Sequence, residues 1–337
     1  VEGCNPRFIN DEVIPGTIPS GSIDGQLLIY LCGSPEEPNI CLMTKDGDDP
    51  HTILDEVESL VDPKWSPVEN LIAYVRTSFS TLEDNEPMIS DIFIGSPDGT
   101  RVSQITNNPT MLYHSIGEIQ WSPNGKQIAF STVGVIGSEA NDIYVINSDG
   151  TSLSRLSYPP ASNFSPRWSP NTDQLAFLSR SSEGIVYLVI VTLNEGSNTQ
   201  SRISLTIGGE LSWSPDGELL VYTDRRIDLR GDYDLHIYNL ASQKEYQLTS
   251  GEAVDFQPFW SKDSSRILFT SNLDGNFDLY SINVDGSNRV KQIENLTDAY
   301  IHNSFLSGDG KTIYFFLSGG KKDLYEMWAV DLQEFCE

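Results

Sequence analysis

Basic residues are scarce in this sequence: 21 Lys and Arg stand against 48 Asp and Glu, a formal net charge of −27. Nucleic-acid affinity rests on clustered Lys and Arg at the phosphates, so this balance excludes a nucleic-acid partner. Long apolar runs are also missing. The best, Ile185–Val191, has the length of a strand, far short of the roughly 18 residues of a membrane span. No segment sustains a helical period. Histidine is limited to His51, His114, His236 and His302, and no His-Glu-x-x-His, Cys-x-x-Cys or phosphate-cradling glycine loop occurs. The common signatures of zinc proteases, dithiol redox centres and nucleotide sites are thus absent. At 38% hydrophobic and 10% aromatic, the chain still has enough apolar surface for a full core and is not an acidic disordered tail.

What is present is a repeat. Trp-Ser-Pro stands at Trp65–Pro67, Trp121–Pro123, Trp168–Pro170 and Trp213–Pro215. Trp260-Ser261-Lys262 and Leu306-Ser307-Gly308 are degenerate copies, and Gly21-Ser22-Ile23-Asp24-Gly25 is a worn first one. The anchors at 21, 65, 121, 168, 213, 260 and 306 are spaced by 44, 56, 47, 45, 47 and 46 residues. Each copy carries four strand signals. A segment enters the Trp, and a turn such as Asn124-Gly125 or Asp216-Gly217 leads to an apolar run. A third strand opens with Asp (Asp91, Asp142, Asp234, Asp278, Asp323), and a fourth ends in Leu-Thr or a relative of it. Four antiparallel strands per period of this length make a blade. The sequence therefore predicts an all-β, seven-bladed β-propeller in one domain, with blades near 20–58, 59–107, 108–158, 159–206, 207–249, 250–297 and 298–337. The Trp is expected to wedge between neighbouring blades, and the Pro to shape the first hairpin.

The pattern Trp-Ser-Pro-Asp-Gly, then Asp-Ile-Tyr-Val, then Asp-Gly-Thr and Leu-Thr resembles the TolB-like repeat, a WD40-like β-propeller family. That family includes TolB and the propellers of tricorn and prolyl-oligopeptidase-type peptidases. The resemblance runs from about Ser20 to Leu332. It implies the propeller fold and leaves chemistry open, because one fold hosts many functions. The Gly-x-Ser-x-Gly motif of the peptidases' hydrolase domain does not occur in this sequence.

The seventh copy stops after its third strand, and Arg7–Ile14 precedes the first copy. The N-terminal segment, within residues 1–19, is therefore expected to close the last blade. Cys4 and Cys336 would then flank the missing hairpin turn and form a disulfide, and Cys32 with Cys41 would bridge a hairpin of blade one. Four cysteines allow three pairings, and this one fits the repeat. Two disulfides point to an extracellular, periplasmic or cell-envelope location. A competing reading takes Val1-Glu2-Gly3-Cys4 as a lipid-attachment box, which would orphan Cys336. Asn295-Leu296-Thr297 is a glycosylation sequon, meaningful only in a eukaryotic host.

Two candidate sites emerge. Tyr113, His114, Tyr158, Phe164, Arg225, Arg226, Phe256, Tyr300 and His302 all map to loops expected on one face. Aromatics mixed with Arg have the composition of a recognition surface for a protein or glycan. Three residues before the anchors stand Asp62, Glu118, Ser165, Glu210, Gln257 and Asn303, with Ile18 the apolar exception. This column either holds water or offers oxygen ligands to a hard cation such as Ca²⁺. The Asp-rich turn Asp274–Asp278 superficially resembles a calcium loop but lacks its closing Glu. The reading is an exported, monomeric binding module. Its alternatives are a metal-dependent lyase or hydrolase, in the manner of oligogalacturonate lyase with His114 and His302 as ligands, and a structural envelope component. The acid excess is concentrated: residues 1–62 hold thirteen acids and two bases. If charge marks a partner, it marks it there.

Overall fold

The structure, a computed structural model, describes residues 6–55, 57, 59–78, 89–107, 113–135, 140–157, 161–171, 174–193, 199–205, 210–225, 233–293, 300–319 and 324–331. Every described element is a strand, and the strands form seven four-stranded antiparallel sheets, the seven-bladed β-propeller that the repeat predicts. The chain divides into two compact units. Glu12–Ser204 carries blades one to four, and Val1–Asp11 with Leu205–Glu337 carries blades five to seven.

In the second of these units the N-terminal strand Arg7–Asn10 pairs antiparallel with Leu324–Asp331 and completes blade seven, as expected. Arg7 meets Asp331 at 3.1 Å, and Phe8 packs edge-on against Trp328 at 6.0 Å. Cys4 and Cys336 lie outside the described residues. The other expected bridge, Cys32–Cys41, is formed, with its Cα atoms 5.9 Å apart. Cys32 sits opposite Asn39 and Cys41 opposite Tyr30, so the bridge crosses the hairpin diagonally.

Each residue of the repeat has a physical role. The Ser after the anchor Trp donates its hydroxyl to the side chain two residues on: Ser214 to Asp216 at 2.6 Å, Ser261 to Asp263 at 2.7 Å, Ser122 to Asn124 at 2.8 Å. The same oxygen accepts the N–H that begins the next strand, at 2.9 Å from Gln127, Leu219 and Arg266. The turn is thus closed from within, and Gly supplies the left-handed residue. At Gly125, with φ +67°, a Cβ would stand 2.3 Å from Val68 Cγ2, so only Gly fits. The third-strand Asp belongs to a second latch. Thr106, Ser157 and Thr249 accept the N–H of Ile92, Ile143 and Leu235 at 2.8, 2.8 and 2.9 Å. Thr106 and Ser157 also donate to Asp91 and Asp142 at 2.8 Å.

The Trp does wedge between blades. Trp121 Nε1 donates to Lys64 O at 3.1 Å, Trp168 Nε1 to Gln120 O at 3.3 Å and Trp260 Nε1 to Ser212 O at 3.0 Å. In each case the acceptor immediately precedes the anchor Trp of the blade before. The apolar clusters follow the same logic. Trp121, Ile128 and Phe130 pack with Ala73, Val75 and Ile92, and Trp260, Ile267 and Phe269 with Val221, Leu235 and Ile237. Middle strands touch a blade on either side, which is why Gln174–Arg180 is buried almost throughout and does not alternate.

The turn carboxylates set an acid limit on the fold. Asp98 is pulled down to about 2, first by the Ser96 hydroxyl and then by the N–H and hydroxyl of Thr100. Asp24 and Asp263 are lowered chiefly by the hydroxyls of Ser22 and Ser261. Asp149 and Asp285 are lowered chiefly by those of Thr151 and Ser287. A carboxyl with a depressed folded pKa stabilises fully above its unfolded value near 4, and that contribution disappears as pH falls through the folded value. The urea midpoint should therefore stay level down to about pH 5 and drop between about pH 4 and 2, with a shallower drop in Asp98→Asn.

Candidate functional site

The residues expected in loops lie further into the sheets than the sequence suggests. Tyr113 and His114 begin the first strand of blade three (Tyr113–Trp121), and Phe164 lies in that of blade four (Ser162–Trp168). Phe256 lies in the first strand of blade six (Asp255–Trp260), and Tyr300 and His302 in that of blade seven (Tyr300–Leu306). Arg225 ends a second strand, Leu219–Arg225. Tyr158 and Arg226 lie outside the described residues, as do the side chains of Tyr113, His114 and Arg225. The placement in strands rather than loops has a specific cause. The first strands of blades four, six and seven run through a bulge and continue, with register shifts at Phe164/Arg167, Phe256/Phe259 and His302/Phe305. The extra residue takes a left-handed backbone: Ser165 at φ 54°, Gln257 at 55° and Asn303 at 48°.

Those bulge residues belong to the polar column, and the bulges explain its chemistry. In blades five to seven, Glu210 Oε2 accepts the Gln257 N–H. Gln257 Oε1 accepts the Asn303 N–H at 2.7 Å, and Gln257 Nε2 donates to Asn303 Oδ1 at 2.7 Å. In blades one to four, Asp62 Oδ1 accepts the Ile18 N–H at 3.0 Å, with the Lys64 ammonium 3.6 Å away. Glu118 receives Arg167 at 2.5 Å and Gln120 at 3.2 Å. Burial pushes the Asp62 carboxyl up, against the pull of Lys64 and the Ile18 N–H, with Glu118 adding a further upward push. The oxygens of Asp62, Glu210 and Gln257 thus hold one blade's backbone to the next. Among the described residues no three of His, Cys, Asp and Glu converge as a metal site. The Asp-rich turn is filled in another way: Lys291 Nζ bridges Asp274 and Asp278 at 2.9 Å each, and Asp274 also accepts the Tyr280 hydroxyl at 2.8 Å.

Three of the singled-out aromatic and histidine residues do meet. Phe256, Tyr300 and His302 line a cavity of 300 Å³ with Phe277, Ile301 and Ser318. Phe277 lies edge-on to both Phe256 and Tyr300, with ring centroids 5.2 and 5.8 Å apart. Tyr300 is 54% exposed. His302 sits against Tyr325 at 5.5 Å and Phe316 at 6.1 Å, and burial holds its imidazole below the usual value. Its Nε2 is buried and has no hydrogen-bond partner. Phe164 belongs to the other unit, where Arg180 covers its ring at 5.4 Å.

That unit holds a larger cavity which sequence reasoning missed, of 890 Å³. Pro35, Glu36, Glu37 and Asn39 from blade one form part of its lining, with Leu60, Thr77, Ser90 and Ser115 from blades two and three. The bridged Cys32 and Cys41 flank the loop that carries the two glutamates. Its one sequence signal was the acid excess of residues 1–62. Phe277 was missed because its position, one residue before a strand-opening Asp, looks like the end of an ordinary hairpin loop.

Residues 88–327, more than two thirds of the chain, match the model of the tricorn protease N-terminal β-propeller domain. The chain belongs to that family. Among relatives of this tricorn-type propeller, an uncharacterized peptidase of Bacillus subtilis (YuxL) is 24% identical over 232 residues. The match covers 64% of the chain but 30% of the relative, so the chain spans about a third of that protein's length. Solved structures of the same architecture include the β-propeller domain of the Trilobed protease from Pyrococcus furiosus, which has an open velcro topology. It is 12% identical, with a TM-score of 0.67 over 99% of this chain and 97% of that one. Oligogalacturonate lyase in complex with manganese is 11% identical, with a TM-score of 0.70 over 98% and 97%. At such identity these likenesses concern the fold. In this member of the tricorn propeller family, the described residues contain no helix long and apolar enough to cross a membrane.

Proposed function

We propose that this chain is a recognition module of an exported protein, engaging a protein or glycan through the aromatic surface of blades six and seven. The observation that carries this reading is the cavity of Phe256, Phe277 and Tyr300. Its aromatic walls are braced edge to face, yet Tyr300 remains more than half exposed. Large rigid aromatics presented in this way give contact area at little entropic cost and form the anchors of binding sites. The Cys32–Cys41 bridge supports an oxidising compartment, extracellular or envelope. The high negative charge supports solubility and selects against anionic surfaces.

The test is capture of ligands by the labelled chain on a peptide array and a glycan array, followed by titration. Tyr300→Ala and Phe256→Ala should each weaken the captured ligand by about tenfold or more, the effect of losing one anchor. Capture that survives both substitutions unchanged would overturn the assignment of this surface.

A further inference from the structure

The 890 Å³ cavity of blades one to three opens beside a short inner strand in blade two. That strand is Lys64–Trp65 alone, whereas its counterpart in blade three runs from Tyr113 to Trp121. Pro63 stands immediately before it and has no N–H for the ladder, so the pairing stops there. The incoming chain instead bridges two blades at Val57. Its N–H donates to Pro38 O at 3.3 Å, and its carbonyl accepts the Thr77 N–H at 3.1 Å. The space beside it is lined by the blade-one loop, by Leu60, by the hydroxyls of Thr77 and Ser90, linked at 3.0 Å, and by Ser115 of blade three.

Two carboxylates belong to that lining, on a loop whose shape is fixed. The Cys32–Cys41 bridge ties its two strands, and the Glu37 N–H donates to the carbonyl and the hydroxyl of Ser34, both at 3.1 Å. At Gly33, with φ +88°, a Cβ would stand 2.9 Å from Glu37 O, so only glycine turns the chain here. Glu36 and Glu37 are both exposed, and among the described residues no Lys or Arg pairs with either. The sequence that runs into the lining adds to this charge. Residues 56–58, 79–88 and 108–114 hold Glu56, Glu58, Glu83, Asp84 and Glu86, with His114 and no Lys or Arg. Of the bases on neighbouring strands, Arg76 lies over the Phe93 ring at 5.9 Å, and Lys64 meets Asp62 at 3.6 Å. The lining also presents apolar surface. Leu60 is 51% exposed, and Val133, 47% exposed, lies against Gly117, its Cγ2 3.2 Å from where a Cβ would stand.

We infer that this cavity docks a segment of another protein in which a Lys or Arg neighbours an apolar residue. The cation is taken by Glu36 and Glu37, and the apolar neighbour covers Leu60 and Val133. The hydroxyls of Thr77, Ser90 and Ser115 donate to or accept from the segment's amides as required. A free polyamine would leave Leu60 and Val133 uncovered, and a neutral apolar segment would leave the two carboxylates unanswered. Exposed ion pairs contribute little each, so the acids act chiefly by steering the segment to the cavity, and the apolar contact holds it there. The site lies wholly within residues 12–204. It goes beyond the aromatic surface proposed above and does not depend on it.

The experiment is fluorescence anisotropy of short end-blocked peptides titrated with the full chain, at low and at physiological ionic strength. One peptide carries Leu-Lys-Leu at its centre, and the others carry Leu-Gln-Leu, Leu-Glu-Leu or Gly-Lys-Gly; spermidine is the competitor. The Leu-Lys-Leu peptide should bind and the Leu-Glu-Leu peptide should not, with the other two weaker by about fivefold or more. Glu36→Gln combined with Glu37→Gln should weaken the Leu-Lys-Leu peptide about tenfold at low salt and flatten its salt dependence. The melting temperature should not change, because both side chains are exposed. Leu60→Ser should weaken binding severalfold, and Tyr300→Ala should leave it as it is. Binding indifferent to the double substitution but lost in Tyr300→Ala would move the basic segment to blades six and seven, overturning this site and leaving the aromatic reading intact. Equal affinity for Leu-Lys-Leu and Gly-Lys-Gly, with spermidine displacing both, would reduce the effect to a general attraction of cations and overturn the proposal. Binding of no peptide would do the same.

Discussion

Asp142→Ala should lower stability by about 3–5 kcal/mol, among the larger effects of any single substitution in this chain. The side chain is fully buried at the start of the third strand of blade three. It forms an ion pair with Arg155 and receives the Ser157 hydroxyl, while that same hydroxyl accepts the Ile143 N–H. Removing the carboxylate takes this partner from Arg155 and frees the serine that closes the fourth strand. Breaking a pair around a buried carboxylate costs more than the pair itself contributes. Asp142→Asn retains an acceptor for Ser157 and should lose less. Urea denaturation of the two variants at pH 7 measures the difference. Equal losses, or a loss below about 1 kcal/mol for the alanine, would show that the pair merely decorates the latch.

Removal of residues 1–10 is expected to do more damage. Arg7–Asn10 is the outer strand of blade seven, and without it Leu324–Asp331 becomes an exposed edge with unpaired backbone groups. Ile9, buried to 5% exposure, is lost together with the Phe8–Trp328 contact. The truncated chain should melt well below the intact one and associate in a concentration-dependent way on size-exclusion chromatography. Ile9→Ala isolates the packing component and should cost about 2–5 kcal/mol without creating an open edge. A truncated chain that stays monomeric, with an unchanged melting temperature, would show that the closing strand is dispensable.

These effects follow from features legible at different depths. The blade count, the strand-opening Asp and the wedge of the Trp are written in local motifs that recur along the chain, so a single worn copy such as Ser22–Gly25 does not obscure them, and the closing strand is announced by a seventh copy that stops after its third strand. The extent of the first strands was not legible. Bulges at Ser165, Gln257 and Asn303 use left-handed residues that are not glycine, and nothing in the local sequence announces them. The polar column was legible as a pattern but not in its role. Its oxygens bind main-chain N–H groups 44 to 47 residues away, and a backbone partner leaves no trace in residue identity. Of the aromatic cavity, Phe256, Tyr300 and His302 could be named in advance. Phe277 could not, because one residue before a strand-opening Asp it looks like the end of an ordinary hairpin loop.

The bond from the Trp indole to a carbonyl of the preceding blade has a consequence for how such a chain can change over generations. Each of these bonds ties the anchor of one blade to the residue before the anchor of the last, at Lys64, Gln120 and Ser212. Anchor spacing nonetheless ranges from 44 to 56 residues. Registration is set blade by blade and does not depend on the length of what lies between, so an insertion in one connecting loop introduces no error downstream. Lineages carrying this repeat are free to lengthen, shorten or rewrite a loop in one step, and a new specificity can be acquired without renegotiating the scaffold.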